Sequence, residues 1–135
     1  MRTFEGVYSF NRSIDNPAMT INGTASFHKE EAHLIRYDER GVYLLGQKKY
    51  EFKQKRYFVF DEQFLKIYSE KDVELHRVYL GDLCFPDYSF SHLHKCQKDR
   101  YELHFCLEDD LIITKYKVHG PSKQYKIDTT YRRIG

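Results

Sequence analysis

Apolar and polar side chains alternate with a period of two along most of this chain. Near its end Tyr125, Ile127, Thr129 and Tyr131 share one face, and Lys126, Asp128, Thr130 and Arg132 share the other. Just before, Ile112, Thr114, Tyr116 and Val118 oppose Ile113, Lys115, Lys117 and His119; earlier, Tyr101, Leu103, Phe105 and Leu107 oppose Arg100, Glu102, His104 and Cys106. Successive side chains of a strand point to opposite faces, so this period predicts half-buried antiparallel strands. The same reading places further strands at about 3–11, 21–29, 33–37, 49–60, 64–69, 73–80 and 89–95. Glu108-Asp109-Asp110 and residues 119–122 read as hairpin turns, and Asp38-Glu39-Arg40-Gly41 and Leu45-Gly46-Gln47 as two more. Residues 12–19 suit a short helical turn or loop, and 81–87 a second loop.

Roughly eight to ten strands with little helix follow from this pattern. An open antiparallel sheet of that width leaves edges to protect, and closing it removes them. Short connections favour an up-and-down meander. The expectation is an all-β, single antiparallel barrel over residues 1–135, with an interior wide enough for side chains or one small ligand. Composition points the same way, since 12 Tyr and 10 Phe stand against three Ala in 135 residues, a bias that suits strands and not helical bundles. The 22 basic and 20 acidic residues leave a net charge of +2, too little to draw nucleic acid by bulk electrostatics. No stretch approaches the ~20 apolar residues needed to cross a bilayer. Residues 1–10 include Arg2 and Glu5 and hold no apolar run of signal-peptide length. Cys84, Cys96 and Cys106 form no disulfide-scaffold pattern, and a reducing cytoplasm is the expected compartment.

Gly6-Val7-Tyr8 on the opening strand resembles the Gly-x-Trp that begins calycin, or lipocalin-like, barrels, with Tyr in the Trp position. The chain closes on Tyr131-Arg132-Arg133, where that architecture commonly lays an Arg across the aromatic ring; Arg133 is therefore expected over Tyr8, a cation–π contact worth about 0.5–2 kcal/mol. More specifically, Tyr37-x-Glu39-x-Gly41, Arg56-Tyr57, Leu75-His76, His94-x-Cys96-x-x-Asp99-x-Tyr101, Gly120-Pro121-x-Lys123-x-Tyr125 and Tyr131-Arg132 resemble the pattern of a short bacterial and fungal family of lipocalin-like domains of unknown function. That resemblance implies the barrel fold. Structural roles are expected for Tyr8, Glu39, Asp99 and Arg133, and the resemblance brings no reaction with it.

Three constellations bear on chemistry. His92, His94 and Cys96 at i, i+2, i+4 share a strand face with Asp99 just beyond, a set able to bind zinc or iron; the plainer reading is a strand and its turn, with the thiol as a small hydrophobe. Cys96 with His94 or His76 would make a thiol nucleophile and base, but no nucleophile elbow or oxyanion motif accompanies them. The barrel interior is the more informative place. By parity Tyr101, Tyr116, Tyr125 and Tyr131 accompany Leu103, Phe105, Val118 and Ile127, Arg56 accompanies Phe58 and Phe60, and His76 accompanies Val78 and Leu80. Hydroxyls, an imidazole and a guanidinium in an apolar space suit a small-molecule site. A buried Arg56 needs an anion, either Glu39 or a ligand carboxylate or phosphate. Lys123 in the Gly120-Pro121 turn is placed to guard the barrel mouth. In the basic stretch Lys48, Lys49, Lys53, Lys55 and Arg56, the aromatics Tyr50 and Phe52 share the parity of Arg56 and Phe58 and are expected to turn inward, away from the exposed lysines, which argues against a single-stranded nucleic acid platform.

The expected function is therefore the binding of a small, partly aromatic or anionic molecule, held by Arg56, His76, His94, Tyr101, Tyr116, Lys123, Tyr125 and Tyr131. The expected partners are that ligand alone, with no nucleic acid, no membrane and no cofactor, in a monomer or homodimer. Two alternatives stay open. One is an enzyme (lyase, isomerase or hydrolase) using His76, whose ordinary pKa lies near neutrality, with Tyr101 polarising a carbonyl. The other is a barrel filled solid by its aromatics.

Overall fold

A computed structural model describes residues 5–82 and 88–135. Among the described residues the chain forms ten strands: β1 (Gly6–Asp15), β2 (Ala18–Glu31), β3 (Leu34–Leu45), β4 (Lys48–Phe60), β5 (Phe64–Ser69), β6 (Glu74–Tyr79), β7 (Tyr88–Cys96), β8 (Asp99–Glu108), β9 (Leu111–His119) and β10 (Gln124–Arg133). A single 3₁₀ turn, Leu80–Asp82, follows β6. The strands make one antiparallel sheet in the order β6-β5-β4-β3-β2-β1-β10-β9-β8-β7. It curls until β6 and β7 meet, giving a nearly closed barrel in which every sequential pair except β6 and β7 is joined by a backbone ladder, and β1 pairs with β10.

Alternation sets the interior as the sequence predicts. One end is a dense floor where Tyr8, Leu65, Leu107 and Ile112 are fully buried beside Phe27, Phe58, Phe90 and Phe105. Each such side chain contributes roughly 1.5–3 kcal/mol by leaving water. Tyr8 lies opposite Arg133 in the β1–β10 register, and the Arg133 guanidinium carbon sits 4.9 Å from the Tyr8 ring centroid. Arg133 also donates to the Glu5 carbonyl and pairs with Asp110 at 3.1 Å.

Two expectations fail. Residues 38–41 are not a turn but the middle of β3, paired on both sides with β2 and β4. Their charges are satisfied within the sheet, Asp38 with Arg36 at 2.7 Å and Glu39 with Arg12 at 2.9 Å, so turn-like composition loses to pairing. Residues 12–19 hold no helical turn: β1 runs on to Asp15 and turns at Asn16-Pro17, whose peptide bond is cis, straight into β2. The 119–122, 108–110 and 45–47 turns are where expected, and Gly46 there has φ of +66°. Of the expected 81–87 loop, 83–87 lie outside the described residues, as does Cys84.

Gly23 and Gly41 face each other across β2 and β3. A Cβ on Gly23 would overlap the Arg40 carbonyl oxygen and lie 2.7 Å from Gly41 Cα, and one on Gly41 would overlap the Phe52 ring. The backbone around Gly23 has nowhere to go. Gly23→Ala is therefore expected to lower the unfolding free energy by about 1–3 kcal/mol, as overpacking does; urea denaturation of the two proteins measures it, and an unchanged midpoint would contradict the packing described.

Candidate functional site

Strand length creates the opening. β5 and β6 have six residues each, and β4 pairs with β5 only from Arg56 to Phe60. The first half of β4 therefore has no ladder on that side, and its exposed lysines 48, 49, 53 and 55 protect the edge. Across the notch stands the Cys96 end of β7. Behind it lies a cavity of about 460 Å³ within the barrel. Gln54 and Arg56 line it from β4, Val73 and Leu75 from the β5–β6 hairpin, and His94 and Cys96 from β7.

The inner wall carries a polar cluster in an aromatic setting. Arg12 Nη1 lies 2.9 Å from Glu39 Oε2, its Nε donates to Thr129 Oγ1 at 2.8 Å, and its Nη2 donates to Tyr131 OH at 3.1 Å. The hydroxyls of Tyr131 and Tyr37 share a hydrogen bond of 2.9 Å. Burial opposes the Arg12 charge, but Tyr131, Glu39 and Tyr37 around it more than compensate and raise its pKa. Burial likewise raises Tyr37 and Tyr131, so both phenols keep their protons. Among the described residues Glu39 Oε1 accepts no hydrogen bond.

A second cluster spans the seam. His76 of β6 meets His92 of β7 through their Nδ1 atoms at 2.8 Å, and His76 Nε2 meets Tyr116 OH at 2.9 Å. One Nδ1 must carry the proton and the other accept it, so the two rings hold complementary tautomers. Burial first, then His92, His94 and Arg56, push His76 down to about 3. His92 is lowered too, by burial and then by His94. This side-chain bond joins the two strands that no ladder joins.

Of the residues expected to bind ligand, Arg56, His76, His94 and Tyr101 line the cavity. So do Tyr116, Tyr125 and Tyr131. Lys123 does not. It stands outside, exposed, 3.4 Å from Tyr101 OH and 3.5 Å from Asp99 Oδ2. Asp99 in turn packs against Gly120, where a Cβ would strike its carboxylate. Glu39 neutralises Arg12 and not Arg56, because β1 brings Arg12 to the same inner layer. Arg56 is half-buried; its Nη1 donates to the Lys55 carbonyl at 2.9 Å, and no carboxylate among the described residues pairs with it.

The structure does not bring His92, His94, Cys96 and Asp99 together as a ligand set. Among the described residues no three His, Cys, Asp or Glu are placed to hold an ion. His92 is committed to His76, Asp99 turns to Lys123, and Cys96 is exposed. Both His76 nitrogens face partners other than Cys96, so of the two imidazoles considered as a base for the thiol, His76 is engaged elsewhere. Burial also moves His76 away from the near-neutral titration expected of it.

Sequence reasoning missed Arg12, Tyr37 and Thr129 as one polar cluster, and the pairing of His92. The signal for Arg12 was present, because it shares the parity of Tyr8 and Phe10. A strand ended at residue 11 hid it.

A sequence profile described as "Family of unknown function (DUF6314)" matches residues 4–133. No curated protein matches the sequence. Among solved structures, the S-type phycobiliprotein lyase CPES from Guillardia theta superposes with a TM-score of 0.67 at 11% identity, covering 98% of this chain and 89% of that one. The redesigned β-barrel mFAP0 bound to DFHBI gives a TM-score of 0.54 at 10% identity, with 96% and 97% covered. A de novo designed fluorescence-activating β-barrel gives 0.53 at 12% identity, with 97% and 94% covered. At these identities the likeness is one of fold.

Two outcomes are expected of the clusters. Glu39→Leu strands the buried Arg12 charge and costs about 3–5 kcal/mol, whereas the double variant Arg12→Met/Glu39→Leu regains most of it; additive losses would contradict the coupling. For His76, a folded pKa of about 3 against 6.5 unfolded means that only the unfolded chain takes the proton between those values. Its contribution is complete above pH 6.5 and is lost as pH falls toward 3. Between pH 7 and 5 that loss is about 2 kcal/mol, and the stability difference between these two pH values should shrink by this amount in His76→Gln.

Proposed function

We propose that this chain, which belongs to the DUF6314 family of unknown function, binds a small, partly aromatic and anionic molecule inside a lipocalin-like barrel. The observation that carries this reading is the cavity of about 460 Å³ with Arg56 at its entrance and no carboxylate paired to it among the described residues. The volume lies within the usual range for small-molecule sites, and its wall is mostly apolar with a few converging polar groups. A guanidinium free of an internal counter-ion in such a wall favours a carboxylate, phosphate or sulfonate. Tyr8 under Arg133 supports the lipocalin-like assignment. A barrel of similar fold, mFAP0, is known with the small molecule DFHBI bound.

The binding reading is preferred to the two alternatives for physical reasons. A solid barrel would not leave this space. An enzyme using His76 would need a lone pair or proton to offer a substrate, and both His76 nitrogens are engaged by His92 and Tyr116.

The test uses a matched pair of fluorescent probes, 1-anilinonaphthalene-8-sulfonate and the uncharged N-phenyl-1-naphthylamine. Saturable binding of the sulfonate is expected, weakened about tenfold in Arg56→Gln, the loss of one charge-assisted hydrogen bond at a partly exposed site. The uncharged probe should respond little to the substitution. Equal affinities in wild type and variant would remove Arg56 from the site, and no saturable binding of either probe would end the cavity reading.

A further inference from the structure

The inner end of the cavity is chemically unlike its entrance. Two phenolic hydroxyls meet there, Tyr37 and Tyr131, 2.9 Å apart, and both residues line the cavity. A single hydrogen occupies the bond between them, so one of their two hydrogens is left over whichever is the donor. Arg12 does not absorb it, because Nη2 donates to Tyr131 and a guanidinium has no acceptor. Glu39 does not absorb it either, since neither of its carboxylate oxygens accepts from a hydroxyl among the described residues. Nor does Glu39 line the cavity. No hydrogen bond among the described residues takes up that remaining hydroxyl hydrogen, both residues line the cavity, and a guanidinium already holds the Tyr131 oxygen.

Charge decides what that hydrogen meets. Arg12 and Glu39 stand 2.9 Å apart and cancel. A second anionic group at this end would gain little from Arg12 and would meet the buried Glu39 carboxylate nearby. A neutral acceptor has no such penalty. Phe27, Phe58 and Phe105 line the cavity beside them, and Tyr37 is the cross-strand neighbour of Arg56 in the β3–β4 register. A short ligand therefore reaches both groups.

We propose that the Tyr37–Tyr131 hydroxyl pair is a donor subsite for a carbonyl oxygen, so that the ligand is an aromatic keto acid with its anionic group at Arg56 and its carbonyl at the inner end. This rests on the reading of the barrel as a small-molecule binder. It adds the orientation of the ligand and a second recognition element that the entrance does not supply. A donor left without an acceptor in a buried site is costly, and a ligand lacking the carbonyl forfeits that bond.

Calorimetric titration with 4-oxo-4-phenylbutyrate and 4-phenylbutyrate tests it, repeated with the 2-naphthyl analogues of each. Wild type should bind the keto acids about tenfold more tightly than their deoxy partners. In Tyr37→Phe/Tyr131→Phe the ratio of keto to deoxy affinity should fall to about twofold or less, whatever the absolute affinities become. The wild-type comparison needs no variant, so a double variant that fails to fold leaves the test intact. Equal affinity of keto and deoxy acids for wild type would overturn the donor subsite while leaving the cavity reading standing. No binding by any of the four acids would overturn both.

Discussion

A barrel wall closes only where each strand finds a neighbour on both sides, and two six-residue strands, β5 and β6, cannot give one to the whole of β4. The remaining strands run nine to 14 residues. The mismatch leaves one end sealed, where Tyr8, Leu65, Leu107 and Ile112 are buried, and a notch at the other. It also leaves β6 and β7 adjacent without a ladder. An edge of that kind ordinarily invites another strand. Here lysines along the first half of β4 protect one side, and the His76–His92 bond ties the seam itself. The entrance and the latch are two consequences of one shortage of strand.

Polar groups then decide how the enclosed space is used. Burying Arg12 and Glu39 is expensive unless the pair and its neighbours satisfy one another. Thr129, Tyr131 and Tyr37 supply hydrogen bonds to the guanidinium and to each other. Those partners fix two phenols with their hydroxyls turned inward, in positions where Phe would have filled the barrel. Gly23 and Gly41 make the room for this arrangement, because a side chain at either would collide with the next strand or with Phe52. Phe52 and Phe10 in turn lie 5.9 and 4.8 Å from the Arg12 guanidinium carbon, attractive contacts that help a buried cation.

The strands and the closing of the barrel were legible in the chain because period two is a local property, repeated in strand after strand. The direction each face took was legible too, and it brought Arg56, His76, Tyr101, Tyr116 and Tyr131 onto one wall. Pairing across the barrel was not. Arg12 and Glu39 lie on strands that are not neighbours, and no local pattern says that Glu39 meets Arg12 and not Arg56. Turn composition misled at residues 38–41, where charges that usually mark solvent are satisfied within the sheet. The metal-like spacing of His92, His94 and Cys96 misled for the complementary reason: a shared face is necessary for ligation, but the partner of His92 came from β6.

Ionisation completes the division of the cavity. Arg12 is cancelled by Glu39, and burial holds His76 neutral. The phenols of Tyr37, Tyr116 and Tyr131 are raised by burial and stay protonated. Of the two arginines on the cavity wall, this leaves Arg56 without a carboxylate among the described residues. A charged His76 would have spread positive potential across the seam, and an anion would then have had no preferred end. The histidine pair instead shares a proton internally. The Tyr37–Tyr131 pair and a neutral background at the other end would orient the ligand we propose, charged at one end only.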